Sequence, residues 1–159
     1  MAVKNCLFCK IYEDGTGIEY RDDFFYMRFD RFPVSPGHLE IVAIRHVEAS
    51  IHLTAKEALS FHNMKKLAID LIEIANLEVI YEEMLQNPVD ESSAKFLKNA
   101  LQSPYINKIP NGHTFGENGG EAAGRTIHHF HYHIIPRFFG DVGDPRGGIR
   151  NIIPGMGGY

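Results

Sequence analysis

The apolar and polar positions fall into segments of two different periods. Residues 18–32, IEYRDDFFYMRFDRF, and 38–44, HLEIVAI, alternate and are rich in aromatic and branched side chains, which predicts strands. Pro33, Ser35, Pro36 and Gly37 between them supply turn chemistry, so the two are expected to pair as an antiparallel hairpin. From Thr54 the period becomes helical. Met64, Leu67, Ala68, Leu71, Ile72 and Ala75 share a face, and Thr54 with Glu57 makes a capping-box pattern. This long helix is expected to end near Met84. Residues 86–110 hold the polar breakers Asn87-Pro88 and Pro110 around a short helical stretch near Ala94–Leu101, and read as an insertion. A strand is expected around His113–Phe115, then the loop GENGGEAAG, then a strictly alternating strand over Thr126–Ile135. The tail 140–159 carries 7 of the 15 glycines and should be loop, with a short extended piece at Ile149–Ile153. No repeat or linker divides the chain, so 1–159 reads as a single domain.

Composition narrows the class. A chain of 159 residues, 44% hydrophobic and 23% charged, suits one ordinary globular domain. No apolar run approaches the roughly 18–20 residues that span a bilayer. The opening MAVKNCLFCK lacks the uninterrupted apolar stretch of a signal peptide, so a soluble cytoplasmic protein without membrane partners is expected. The net charge of −4 is uneven: residues 1–124 sum to −6, whereas 125–159 hold Arg125, Arg137, Arg146 and Arg150 against Asp141 and Asp144. Arginine forks match phosphate or carboxylate oxygens, so this end suits a small phosphorylated ligand. A nucleic-acid partner would need a larger basic patch.

The candidate chemistry concentrates in RTIHHFHYHIIPR, residues 125–137. On a strand of period two, His129, His131 and His133 project from one face, about 7 Å apart. Three imidazoles in one row are hard to explain as packing, because each would need its own polar partner if buried. A neutral imidazole is a competent nucleophile toward phosphorus near neutral pH. Gly119, Gly120 and Gly124 just upstream permit positive φ and close approach of backbone N–H groups to phosphate oxygens. Arg125 or Arg137 would meet charge developing on the phosphoryl group. Cys6 and Cys9, three apart, suit half of a tetrahedral zinc site or a redox pair.

The segment H-F-H-Y-H-I-I, together with N-G-G-E-A-A-G-R-T, Pro36-Gly37-His38 and the Cys6–Cys9 motif, resembles the histidine-triad (HIT) superfamily of nucleotide hydrolases and transferases, in particular its zinc-bearing diadenosine polyphosphate hydrolases. The resemblance implies an α+β HIT-like fold: an antiparallel sheet of about five strands, one long helix and a short inserted helix, paired as a homodimer. It implies His131 as nucleophile, with His133 and His38 flanking the phosphate. Asn118, Gly124, Arg125 and Thr126 would form the phosphate-side loop. Asp30 falls where the family contacts ribose, although a turn residue beside Arg31 is an equal reading. Zinc would be held by Cys6, Cys9, His46 and His129, one structural ion per chain. Two departures stand out: Ala43-Ile44-Arg45 precede His46 where a proline and a basic residue are common, and Arg125 replaces a common glutamine. His52, His62, His113 and His128 receive no role.

The implied activity is hydrolysis at the α-phosphorus of a purine nucleotide, as a dinucleoside polyphosphate, phosphoramidate or adenylate, through a nucleotidyl-histidine intermediate. A nucleotidyltransferase or phosphorylase, or a nucleotide-binding protein of weak activity, is the alternative.

Overall fold

The computed structural model describes residues 3–154, 156 and 157; the outermost positions of the opening segment and of the glycine-rich tail, Met1, Ala2, Gly155, Gly158 and Tyr159, lie outside the described residues. Helix α1 (Leu7–Asp14) precedes the strands β1 (Tyr20–Arg21), β2 (Phe25–Phe29) and β3 (Leu39–Ala43). Helices α2 (Ala55–Ile74), α3 (Leu77–Gln86) and α4 (Glu91–Leu101) follow, then β4 (Gly112–Gly116) and β5 (His131–Arg137). All pairings are antiparallel, in the order β1-β2-β3-β5-β4. The expected α+β class and five-stranded sheet are therefore borne out.

The sheet is covered on both faces. Phe25, Met27 and Phe29 of β2, Leu39, Ile41 and Ala43 of β3, and Ile134 of β5 pack with Met64, Ala68, Ile72, Leu77 and Tyr81 from the helices. The opposite face carries Tyr26 and Val42, packed on Phe8 of α1, together with the polar residues Arg28, His38, Glu40, His131 and His133. The apolar face supplies the core, which leaves the second face free to hold chemistry.

Several expectations are corrected. The stretch 18–32 is two strands, because the Asp22 carboxylate accepts from the backbone N–H of Phe24 and Phe25, each at 2.7 Å, and turns the chain. The capping box at Thr54 and Glu57 is present as expected. The long helix, however, breaks at Ala75, which is extended, and restarts at Leu77 under a cap from the Asn76 side chain to Val79 N. The inserted helix starts three residues earlier than expected, because Asp90 caps it by accepting from Ser93 N at 2.7 Å. The tail forms a 3-10 turn at Gly148–Ile152 rather than an extended piece, closed by local bonds such as Arg150 N to Gly147 O at 2.8 Å. Helix α1 was not anticipated, although Phe8, Ile11 and Tyr12 carry the helical spacing.

Candidate active site

Strand β5 begins only at His131, so the alternating run 126–130 is not regular strand. Its last residues still lie beside β3, through Phe130 O accepting from Ala43 N at 3.2 Å. The side-chain alternation therefore survives: Phe130 enters the apolar core, while His129 and His131 both touch the Phe8 ring, at centroid distances of 5.9 and 5.0 Å.

The histidines then divide. The imidazole of His129 is buried, and its Nε2 lies 2.6 Å from Ala43 O. A carbonyl only accepts, so Nε2 carries the proton and Nδ1 keeps a lone pair. That Nδ1 faces Cys6 Sγ at 3.2 Å and Cys9 Sγ at 3.6 Å, and His46 Nδ1 lies 3.5 Å from Cys9 Sγ. The donor atoms of these four residues all lie within 4.8 Å of one another. A tetrahedral zinc with bonds of about 2.0–2.3 Å places its ligand atoms roughly 3.3–3.8 Å apart, so the donor set fits that ion, and the Ala43 carbonyl orients one ligand from behind. Burial holds the His129 imidazole down to about 4, which keeps it neutral as a ligand must be.

The second group lies on β3 and β5. His131 Nδ1 donates to His129 O at 2.7 Å, which leaves the lone pair of the neutral ring on Nε2. His38 Nε2 and His133 Nδ1 are 3.0 Å apart, and the rings of His131 and His133 approach to 5.1 Å. Burial lowers the pKa of His131 and of His38, and with the neighbouring imidazoles it lowers His133 to about 4; Asp30 opposes this in each case.

Gly37 holds His38 in place. It has φ +85, a conformation that favours glycine, and its N–H donates to the buried Tyr81 hydroxyl at 2.8 Å. Asp30 is a turn residue that also faces a histidine. One oxygen accepts from Phe32 N at 2.8 Å and shapes the turn, and the other lies 3.4 Å from His38 Nδ1.

The phosphate-side loop passes nearby. Gly120 and Gly124 have φ of +97 and +89, whereas Gly119 does not need positive φ. Arg125 Nε donates to Asn118 O at 2.9 Å and closes the loop; the Arg125 charge is felt at His131. Thr126 is exposed. Arg137, by contrast, is bound by Asp141 at 2.7 and 3.0 Å, and Arg146 by Asp144, so the two aspartates of this end are taken up and its positive surplus rests on Arg125 and Arg150. His113 lies on β4 beside Phe115, and His128 is a surface group near Glu121.

Beside the histidines opens a cavity of about 530 Å³, lined by Phe8, Ile11, Ile80, Met84, Val89 and Ile127 with a polar floor of Arg28, Asp30 and Glu40. Its volume lies in the usual range for small-molecule sites. The insertion contributes Val89 and anchors the β2–β3 turn: Arg31 donates to the carbonyls of Met84 and Asn87, and Ser93 Oγ donates to Arg31 O. Arg28 and Glu40 were missed by sequence reasoning. The available signal was a charged residue at an inward position of a strand that is otherwise apolar.

With this geometry established, the comparisons place the chain: the HIT domain model matches residues 13–140, and the protein belongs to the HIT domain family. Among curated relatives, an uncharacterized HIT-like protein of Methanocaldococcus jannaschii is 23% identical, over 86% of this chain and 81% of its own length. Protein hit of Bacillus subtilis is 24% identical, over 85% and 72%. Among solved structures, a HIT family protein from Bacillus anthracis aligns with a TM-score of 0.57 at 24% identity, over 85% of this chain and 74% of its own. A zinc-bound histidine triad family protein from Mycobacterium smegmatis aligns at 0.55 with 21% identity, over 86% and 78%. A HIT family hydrolase from Clostridium thermocellum aligns at 0.52 with 20% identity, over 89% and 96%.

Proposed function

We propose that the protein is a nucleotide hydrolase that attacks the α-phosphorus of a purine nucleotide and holds one structural zinc ion. The observation that carries this reading is the 2.7 Å bond from His131 Nδ1 to His129 O, which commits the free lone pair to Nε2 in a ring held next to His133 and His38. His131 Nε2 forms the bond to phosphorus as the bond to the leaving group breaks, and the leaving group departs with a proton relayed through the His133–His38 pair. Water then adds to phosphorus and gives its proton back to the His133–His38 pair, the N–P bond breaks, and the nucleoside monophosphate is released with the ring and the pair both restored. The side chains of Asn118 and Thr126 and the Arg125 guanidinium would meet the phosphoryl charge, and Asp30 the ribose hydroxyls, while the N–H groups of Gly120 and Gly124 are spent inside the loop on Asn118 O and Glu121 O.

Zinc would be held by Cys6, Cys9, His46 and His129, with all four positions filled by protein. Its contribution is to staple α1 and the loop before β5 together and so fix the carbonyl that orients His131. Exposed Leu59, Leu67 and Ile74 on α2 support the homodimer as part of the same proposal. The direct test is His131→Ala, assayed on adenosine and guanosine phosphoramidates and on diadenosine polyphosphates. Turnover should fall by several orders of magnitude with the thermal transition unchanged; full activity would remove the mechanism.

A further inference from the structure

The cavity beside the histidines has a feature that phosphate chemistry does not use. Arg28 on β2 and Glu40 on β3 are cross-strand partners, 8% and 7% exposed, and both face the space lined by Phe8, Ile11 and Ile127. They are not bonded to each other well: the nearest approach, Arg28 Nε to Glu40 Oε2, is 3.7 Å. Arg28 Nε is buried and has no hydrogen-bond partner among the described residues. A buried charged pair normally needs further hydrogen bonds to offset its desolvation, and this one has donors and acceptors left over. They point to a ligand with a complementary polar edge.

Position tells which part of the ligand that is. Glu40 stands opposite His133 in the β3–β5 ladder, and its carboxylate shares a 4.8 Å cluster with ring nitrogens of His131 and His133. Arg28 lies one strand further out, about 10 Å from β5 at the usual spacing of two strands. A phosphorus at His131 puts its ribose near Asp30 and Glu40, and the base beyond, over Glu40 and Arg28 and between the apolar side chains of α1 and α3.

We propose that Arg28 and Glu40 make this cavity select a guanine ring over an adenine ring, an inference that rests on the nucleotide reading above. Burial and the nearby Asp30 push the Glu40 carboxyl up to about 8, so above that pH the pair presents one row of groups, a guanidinium donor beside two carboxylate acceptors, and below it guanine must displace the carboxyl proton. Guanine presents the complement, the O6 acceptor followed by the N1–H and N2–H donors, and satisfies all three. Adenine offers one N–H donor next to a ring nitrogen whose lone pair would face the second carboxylate oxygen, leaving that oxygen unpaired in a buried site. Hypoxanthine keeps O6 and N1–H but lacks the third group and should fall between. A well-placed pair of side-chain bonds to a base edge discriminates by about 5- to 150-fold.

The experiment is calorimetric titration of the zinc-loaded, full-length protein with GMP, IMP and AMP at pH 8.5, where the Glu40 carboxyl is ionised. GMP is expected to bind at least fivefold more tightly than AMP, with IMP between. Arg28→Met and Glu40→Gln, each checked for an intact thermal transition, should narrow the GMP-to-AMP ratio by weakening GMP. A wild-type ratio below fivefold, a preference for AMP, or no binding of any of the three would overturn the proposal, and so would a ratio that neither variant changes. The wild-type ratio needs no variant to fold. Turnover of adenosine and guanosine phosphoramidates with equal affinities would overturn the selectivity and leave the hydrolase reading standing. Guanine-selective binding without turnover on any substrate would do the reverse.

Discussion

Replacing Glu57 by glutamine should destabilise the protein in a pH-dependent way that can be worked out beforehand. Glu57 is 5% exposed, and its carboxylate accepts three bonds of consequence. Arg45 Nε and Nη2 donate at 2.8 and 2.7 Å, Thr54 N donates at 2.7 Å, and a longer contact returns from Glu57 N to Thr54 Oγ1. These hold the carboxyl down from 4.5 to about 2, the Arg45 bonds being the largest cause. That depression converts to about 3 kcal/mol at roughly 1.4 kcal/mol per pH unit. The Arg45 side chain is 44% exposed, so solvent screening reduces the expected loss to about 2 kcal/mol. Glutamine can still accept from Thr54 N, so the cap itself survives. The sign follows from the depressed value: the stabilisation is complete above the unfolded value near 4.5 and disappears as pH falls through about 2. Urea titrations of both proteins from pH 7 to pH 2 should therefore show curves about 2 kcal/mol apart at neutral pH that converge in acid. Parallel curves, or a neutral difference under about 0.5 kcal/mol, would refute the reasoning. Arg45 is the residue before His46, so the same variant should also loosen the proposed zinc site and speed loss of zinc to a chelator.

Other outcomes follow from the same geometry. Cys9→Ser should empty the proposed zinc site, taking elemental analysis from one ion per chain toward none, and lower the thermal midpoint, since Cys9 Sγ joins α1 to His46 and His129. Gly37→Ala should cost at least about 1–2 kcal/mol in denaturant unfolding, because φ is +85 and the new Cβ would meet Ile72 and Pro136 at 3.0 and 3.1 Å; kcat should fall with it as His38 shifts. In kinetics, kcat/KM should stay level as pH falls from 7.5 past 6.5 and decline only at lower pH, because burial depresses His38 and His133. An acid limb centred at or above 6.5 would contradict this. The same depressed values make folding stability fall between about 6.5 and 4 as the unfolded chain takes up protons the folded one refuses.

Much of the site was legible because it is encoded locally. The two-residue period of a strand is enough to place His131 and His133 together, and the capping box at Thr54 and Glu57 marks a helix start from four residues. The break at Ala75 was not legible, because the apolar face of the helix continues through it; the choice is made by Asn76 and by Leu77 and Tyr81 re-entering the core. By itself the sequence determined the class of elements, the histidine row and the cysteine motif. Family resemblance implied that His129 joins the cysteines while His131 does not, but only the tertiary structure gives the physical reason, which lies in the Ala43 carbonyl, 86 residues away, and in a bond from His131 back to His129. It also decided which charges matter, pairing Arg137 and Arg146 with nearby carboxylates while leaving Arg28 Nε without a hydrogen-bond partner among the described residues. Period and caps are properties of neighbours along the chain, whereas desolvation and ligand geometry arise only where distant segments meet.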